Sequence, residues 1–318
     1  MRTTPSHSHV ARRIATAVAV AVSGLVLAAC GSSSTSSEPT AVSSSAPACP
    51  VAPVNVVVTT NVWGSVVDQL VGTCANVSTV ITSAAADPHD FEPTAADSAA
   101  IAGAQLVVIN GLGYDEWATK IVKSLGASAP PVLDLGQELG LKTGVNPHIW
   151  YSPDYVVASA QNITAKMKSV EAAATSYFDG QAVTFSTALQ PYLDKVASIK
   201  SQFTGTKIGV TETVFDYMAQ ATGLVIATPP GFSKAIATES EPTAKDVGAF
   251  QTQLSNGTLK VLIYNSQTEG SLTTQLKSTA EANNVPIVSV TESINPPSAT
   301  FQAWQLSQLD ALAIALAA

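Results

Sequence analysis

Val54-Asn55-Val56-Val57-Val58-Thr59-Thr60 is the stretch on which the fold turns. Four valines and two threonines in seven positions make a strand the favoured conformation. Similar β-branched runs follow at Val77 to Ser83, Gln105 to Asn110 and Pro131 to Leu135. A second set lies at Thr206 to Thr211, Leu224 to Thr228, Leu259 to Asn265 and Pro286 to Val290. Longer amphipathic stretches separate the runs, which is the alternation of a doubly wound α/β protein with parallel sheets. Two sets of four strands predict two similar lobes, an N-terminal one over 50–176 and a C-terminal one over 204–318.

The segment from Pro153 to Phe203 carries no strand signal. In its second half Leu189, Leu193, Val196, Ile199 and Phe203 recur at spacings of four and three, which draws one apolar stripe along a helix. A linking helix over 177–203 would join the lobes as a single long rigid strut, and a helix of about 30 residues is roughly 45 Å long. A helical hairpin packed on one lobe has the same periodicity.

Towards the N-terminus, Arg2, Arg12 and Arg13 precede an apolar run from Ile14 to Ala29, followed by Cys30. This reads as an export signal over 1–29. The ending Leu27-Ala28-Ala29-Cys30 resembles the bacterial lipobox, which implies lipidation of Cys30 and attachment to the membrane. An uncleaved anchor is the alternative, although the run is shorter than the roughly 20 residues of a spanning helix. The Ser/Ala/Pro-rich stretch that follows, 30–49, is too polar and simple to bury a core and reads as a tether. Cys49 and Cys74 are then the remaining cysteines. Each precedes a predicted strand, and in a parallel sheet two strand starts share an edge. Outside the cytoplasm such a pair favours a disulfide worth about 3 kcal/mol; two unrelated buried thiols are the other reading.

The 318 residues include only 12% charged side chains and carry a formal charge of -8. Removal of 1–29 takes three of the 15 basic residues and no acids, leaving 12 against 23, or -11. No basic surface is available for nucleic acid, which is excluded as a partner.

Of the four histidines, His7 and His9 fall in the signal, so His89 and His148 are the ones a mature chain keeps. Each follows a proline, in Asp87-Pro88-His89-Asp90 and Asn146-Pro147-His148-Ile149, which mounts the imidazole on a stiff loop. Two ordinary surface histidines would read the same way in isolation. In open α/β sheets, however, ligands gather beyond the carboxyl ends of strands. Glu212 follows the run ending at Thr211, and Glu292 follows the run ending at Val290. A cleft between the lobes would bring two imidazoles to face two carboxylates, a set that neutralises one divalent cation.

Asp87-Pro88-His89-Asp90-Phe91-Glu92-Pro93-Thr94, Asn110-Gly111-Leu112-Gly113 and Pro147-His148-Ile149-Trp150 resemble the metal-binding solute-binding lipoproteins of ABC importers, the cluster A-I (cluster 9) family. The resemblance runs from about residue 54 to the C-terminus. It implies two α/β lobes joined by one long helix, a single Zn²⁺ or Mn²⁺ in the cleft, and delivery to a membrane permease by a monomeric carrier. The family's metal positions fall on His89, His148, Glu212 and Glu292. Glu212 is similar to the manganese type, where zinc-type members carry a histidine. Glu292 stands where aspartate is usual, and Asn146 replaces the usual aspartate before Pro-His. The His-rich acidic loop of many zinc-type members is absent.

Two nitrogens and two carboxylates shift preference slightly towards Mn²⁺, with Fe²⁺ a third candidate, yet Zn²⁺ outranks Mn²⁺ in raw affinity at such sites. Glu92, Asn61, Trp63 and Trp150 are candidates to orient the ligands or wall the cleft. An extracytoplasmic metallohydrolase would need an open metal position and a general base. No His-Glu-x-x-His or Gly-x-Ser-x-Gly segment is present. A chelate-binding protein on the same scaffold would call for arginines, and none follows Arg13. The sequence therefore predicts a binding protein and not an enzyme.

Overall fold

The computed structural model describes residues 48–83, 91–238 and 240–318. The signal and tether, including Cys30, and the segment 84–90 that carries His89 lie outside them. In chain order the first lobe runs β1 (Val54–Thr60), α1 (Asn61–Val71), β2 (Ala75–Ile81), α2 (Ala95–Ala102), β3 (Leu106–Ile109), α3 (Glu116–Ser124), β4 (Val132–Asp134) and the short α4 (Leu135–Glu138). Two long helices follow, α5 (Pro153–Val170) and α6 (Thr175–Phe203). The second lobe comprises β5 (Lys207–Val210), α7 (Asp216–Thr222), β6 (Val225–Ile226), α8 (Pro230–Ala237), α9 (Ala244–Ser255), β7 (Val261–Asn265), α10 (Ser271–Ala282), β8 (Ile287–Val290) and α11 (Phe301–Ala317).

Each lobe holds one four-stranded parallel sheet, ordered β2-β1-β3-β4 and β6-β5-β7-β8. The two orders are the same topology used twice. Side chains alternate across each sheet as the two-residue period requires. Val56, Val58, Leu106 and Val108 face the core shared with α1, α5 and α6, whereas Val57, Val107 and Ile109 face α2 and α3. In the second lobe Ile263, Val288 and Val290 join that same shared core, while Leu262 packs beneath α9 and α10. One apolar core thus runs from the first sheet to the second, and each sheet is covered on both faces.

All eight expected strands are present, with shifted ends. Edge strand β2 begins at Ala75, two residues ahead of the expected run, and its first residue pairs with Val54 of β1. Strand β6 is reduced to two residues because Thr228 leaves the ladder. Its hydroxyl accepts from the Val210 N–H (2.8 Å) and donates to the Val210 carbonyl (3.1 Å). Helix α6 spans 29 residues, about 44 Å at 1.5 Å per residue. It rests against α5 and α1 of the first lobe and α7 and α11 of the second. The strut and hairpin readings are therefore both partly realised. Cys49 and Cys74 are joined by a disulfide ahead of β1 and β2. Among the described residues, no helix is long and apolar enough to cross a membrane.

Candidate metal site

Strands of both sheets point their carboxyl ends into one cavity of about 650 Å³, whose lining includes Leu112, Tyr114, His148, Glu212, Thr268 and Glu292. The N-terminal wall begins where β3 ends. There the carboxylate of Asp115, 1% exposed, turns back to accept the N–H groups of Asn110 (2.6 Å) and Gly111 (2.9 Å) and the Thr59 hydroxyl (2.6 Å). Burial pushes the Asp115 carboxyl up to about 6 in spite of these donors. The loop they fix is tightly wound: Gly111, Leu112 and Gly113 all have positive φ (77°, 62° and 93°). A Cβ at Gly111 would also meet the Asp134 carboxylate, so only glycine fits there. This turn delivers Tyr114, whose hydroxyl donates to Glu292 Oε2 at 3.1 Å across the lobe boundary.

His148 sits on the next loop, 4% exposed, ahead of the turn Ile149–Tyr151 that leads into α5. Asn146 decides how its ring is presented. The Asn146 side-chain oxygen accepts the His148 backbone N–H (3.0 Å), while its amide nitrogen donates to the Thr213 carbonyl (2.7 Å). The oxygen lies 2.7 Å from Nδ1 and accepts its N–H, which leaves Nε2 as the nitrogen turned to the cavity for ligation. Nε2 is 3.5 Å from Glu292 Oε2. The Tyr114 and Trp150 rings flank the imidazole at centroid distances of 6.0 and 5.2 Å.

The C-terminal wall is acidic. Glu292, 3% exposed, and Glu212 follow β8 and β5, and the side-chain amide of Asn265, the last residue of β7, joins them. It donates to Glu212 Oε2 at 2.7 Å and to Glu292 Oε1 at 3.0 Å. The Thr268 hydroxyl donates to the other Glu212 oxygen. Burial raises the Glu212 carboxyl, the Thr268 and Asn265 donors partly offset this, and the nearby Glu292 charge adds to the rise. Asp216, behind Asn146, is likewise pushed up to about 6 by burial. Two carboxylates and a neutral imidazole are a donor set suited to a divalent cation, since the carboxylates balance its charge. Among the described residues, no three His, Cys, Asp or Glu side chains stand close enough to form a complete metal cluster.

The remaining candidates take different places. Trp63 is wholly buried and donates Nε1–H to the Asn110 side-chain oxygen (2.8 Å). The Asn110 amide nitrogen in turn donates to the Pro147 carbonyl (3.0 Å), so Trp63 braces the histidine loop without lining the cavity. Asn61 closes a two-way contact with the Ile294 backbone, accepting its N–H (3.1 Å) and donating to its carbonyl (3.3 Å). Glu92 is exposed. Sequence reasoning missed Tyr114, Asp115, Asn265 and Thr268, and had noted Asn146 only as a departure. Asn265 and Thr268 follow the same strand-end rule that singled out the two glutamates. Tyr151 was also missed; its hydroxyl donates to the Thr291 carbonyl (2.7 Å) and ties the histidine loop to the residue before Glu292.

The family described as "ZnuA: Zinc-uptake complex component A periplasmic" matches residues 56–315. The high-affinity zinc uptake system protein ZnuA of Bacillus subtilis is 25% identical over 264 residues, covering 77% of this chain and 78% of that one. The manganese-binding lipoprotein MntA of Halalkalibacterium halodurans is 28% identical over 99 residues, 30% of this chain and 32% of its own. Among solved structures, the SBP FpvC of P. aeruginosa in complex with Ni²⁺ superposes with a TM-score of 0.69 at 20% identity, covering 83% of this chain and 97% of that one. That likeness is one of fold.

Proposed function

We propose, from the premise that this chain belongs to the zinc-uptake complex component A family, that its cargo is one divalent transition-metal ion held by His148, Glu212 and Glu292. His89, outside the described residues, is the proposed fourth ligand. The protein is an extracytoplasmic metal-binding component of an ABC importer: it carries metal to a permease and catalyses no reaction. Zn²⁺, Mn²⁺ and Fe²⁺ all fall within the class of cargo that the donor set accepts. Membrane attachment through lipid on Cys30 and a monomeric carrier built of lobes 50–176 and 204–318 around helix 177–203 complete the proposal.

The observation that supports this reading best is the meeting of His148 Nε2 with Glu292 Oε2 at 3.5 Å, one from each lobe. The pair faces a shared cavity with Glu212 on its wall. A ligand that binds only the folded state stabilises it by about 2.7 kcal/mol at one hundred times its dissociation constant. Purified protein stripped of metal should therefore melt higher on adding Zn²⁺ or Mn²⁺. The rise should vanish in His148→Ala and Glu292→Gln, and in His89→Ala. A melting shift that persists in His148→Ala and Glu292→Gln sinks the assignment. Binding should also weaken on acidification, because imidazole ligates metal only when neutral.

A further inference from the structure

We infer that Asn146 is a positioning residue that makes the pose of the His148 ring depend on the second lobe, so that parting the lobes lets the ring turn and speeds release of the metal. The inference rests on the reading of His148 as a ligand and adds how that ligand is controlled.

The Asn146 side chain faces both lobes at once. Its oxygen accepts the His148 backbone N–H at 3.0 Å and lies 2.7 Å from Nδ1 of the ring. Its nitrogen donates across the lobe boundary to the Thr213 carbonyl at 2.7 Å, next in the chain to Glu212, and lies 3.4 Å from Asp216 Oδ2. The backbone carbonyl of Asn146 is gripped from the same side, since it accepts the Tyr217 hydroxyl at 2.9 Å. Groups of the second lobe at 213, 216 and 217 thus converge on the residue that holds Nδ1. The other ring nitrogen faces that lobe directly, with Glu292 Oε2 at 3.5 Å from Nε2.

The amide is what makes this connection. An ionised aspartate at 146 could accept from the ring, but it has no N–H to give the Thr213 carbonyl, and it would set a second carboxylate against Asp216. Asn61 and Tyr151 fasten the lobes through backbone groups, whereas Asn146 fastens them through a side chain that also aims an imidazole. Drawing the second lobe away takes Thr213, Asp216 and Tyr217 with it and leaves the amide without the partners that fix it. Loss of the group that orients a ligating histidine costs about 10- to 100-fold in metal affinity.

The test alters the second lobe and reads the ring in the first. Tyr217→Phe removes the hydroxyl bound to the Asn146 carbonyl and keeps a ring to pack on Tyr155 (centroids 5.4 Å apart). Asn146→Ala removes the acceptor of Nδ1 outright. In the metal-free full chain, at a pH where imidazole is neutral, nitrogen NMR of labelled histidine reports which ring nitrogen carries the proton; His148 is assigned by its loss in His148→Ala. Wild type should give the Nδ1–H form, Asn146→Ala should shift towards the Nε2–H form, and Tyr217→Phe should fall between them. Release of Zn²⁺ into excess chelator should be about fivefold faster in Tyr217→Phe, the factor carried by one hydrogen bond, and about tenfold or more faster in Asn146→Ala. A ring signal or a release rate that stays at its wild-type value in Tyr217→Phe would overturn the proposal, even where that variant melts lower, because a merely structural hydroxyl gives that result. If Asn146→Ala does not fold, Tyr217→Phe alone decides. Failure here leaves the ligand assignment standing, because that rests on His148→Ala and Glu292→Gln and the ring signal is read without metal.

Discussion

An amide and a carboxylate divide the work around His148 in an unusual way. Asn146 holds Nδ1 with a neutral oxygen, so the imidazole is oriented without the added basicity that an anionic acceptor would supply. Asp115, on the neighbouring loop, organises backbone instead, accepting the Asn110 and Gly111 N–H groups. Its position has a measurable consequence. Because burial raises the Asp115 carboxyl from 3.8 to about 6, the folded chain binds this proton more tightly than the unfolded chain does. The stabilisation from that proton is complete below 3.8 and is lost as pH rises through about 6. In metal-free protein, the stability of wild type relative to Asp115→Asn should therefore increase by about 1 kcal/mol between pH 7 and pH 5, as read by chemical denaturation at the two values. A gap that does not change with pH would place Asp115 in the ordinary carboxylate range. Residues of this kind are hard to find in a sequence. Glu212 and Glu292 stand out as acids just past buried strands, and Asn265, at the end of a strand run, lacks the charge that drew attention to them, while Tyr114 and Asp115 resemble ordinary loop residues until the fold shows what they reach.

Among the elements, α6 holds the lobes at a fixed spacing, and its interior contains Pro191. A proline there has no N–H to offer the Thr187 carbonyl one turn back, and an interior proline costs a helix about 3 kcal/mol. Pro191 is exposed, so no core packing depends on its ring. Pro191→Ala should raise the midpoint of thermal unfolding while leaving metal affinity unchanged, as scanning calorimetry and a binding titration would establish. A lower melting temperature would mean that the helix relies on the proline. Element existence was legible throughout, because Val56-Val57-Val58 and its counterparts are buried on both faces and read as continuous β-branched runs. Element ends were less legible. Thr228 has the composition of a strand residue, yet its hydroxyl satisfies Val210 at both backbone groups and stops the ladder. The Leu189-to-Phe203 stripe showed a helix but not its partners, since the same face meets α5, α11 and α7 in turn.

Across the whole molecule, the two lobes share one core and are fastened at the site by contacts from Asn61, Tyr114, Asn146 and Tyr151. At the far end of the first sheet the Cys49–Cys74 bridge closes a span of 25 residues, a loop for which chain entropy gives about 3.5 kcal/mol. Cys49→Ser with Cys74→Ala should lower the unfolding free energy by about that amount and leave the affinity for Zn²⁺ or Mn²⁺ as it was. Loss of metal binding in the double variant would show that the bridge reaches the site. The geometry argues for separation: the bridge lies at the amino ends of β1 and β2, the cavity at the carboxyl ends, and seven-residue strands put about 23 Å between them. The same corner is anchored sideways as well, through the Thr73 N–H to the Tyr177 hydroxyl of α6 (2.9 Å). A mechanical pull along the chain ahead of Cys49 therefore meets a covalent bond before it meets the hydrogen bonds of β1. The load is spread over two neighbouring strands and the long helix, at the end of the sheet opposite the cavity.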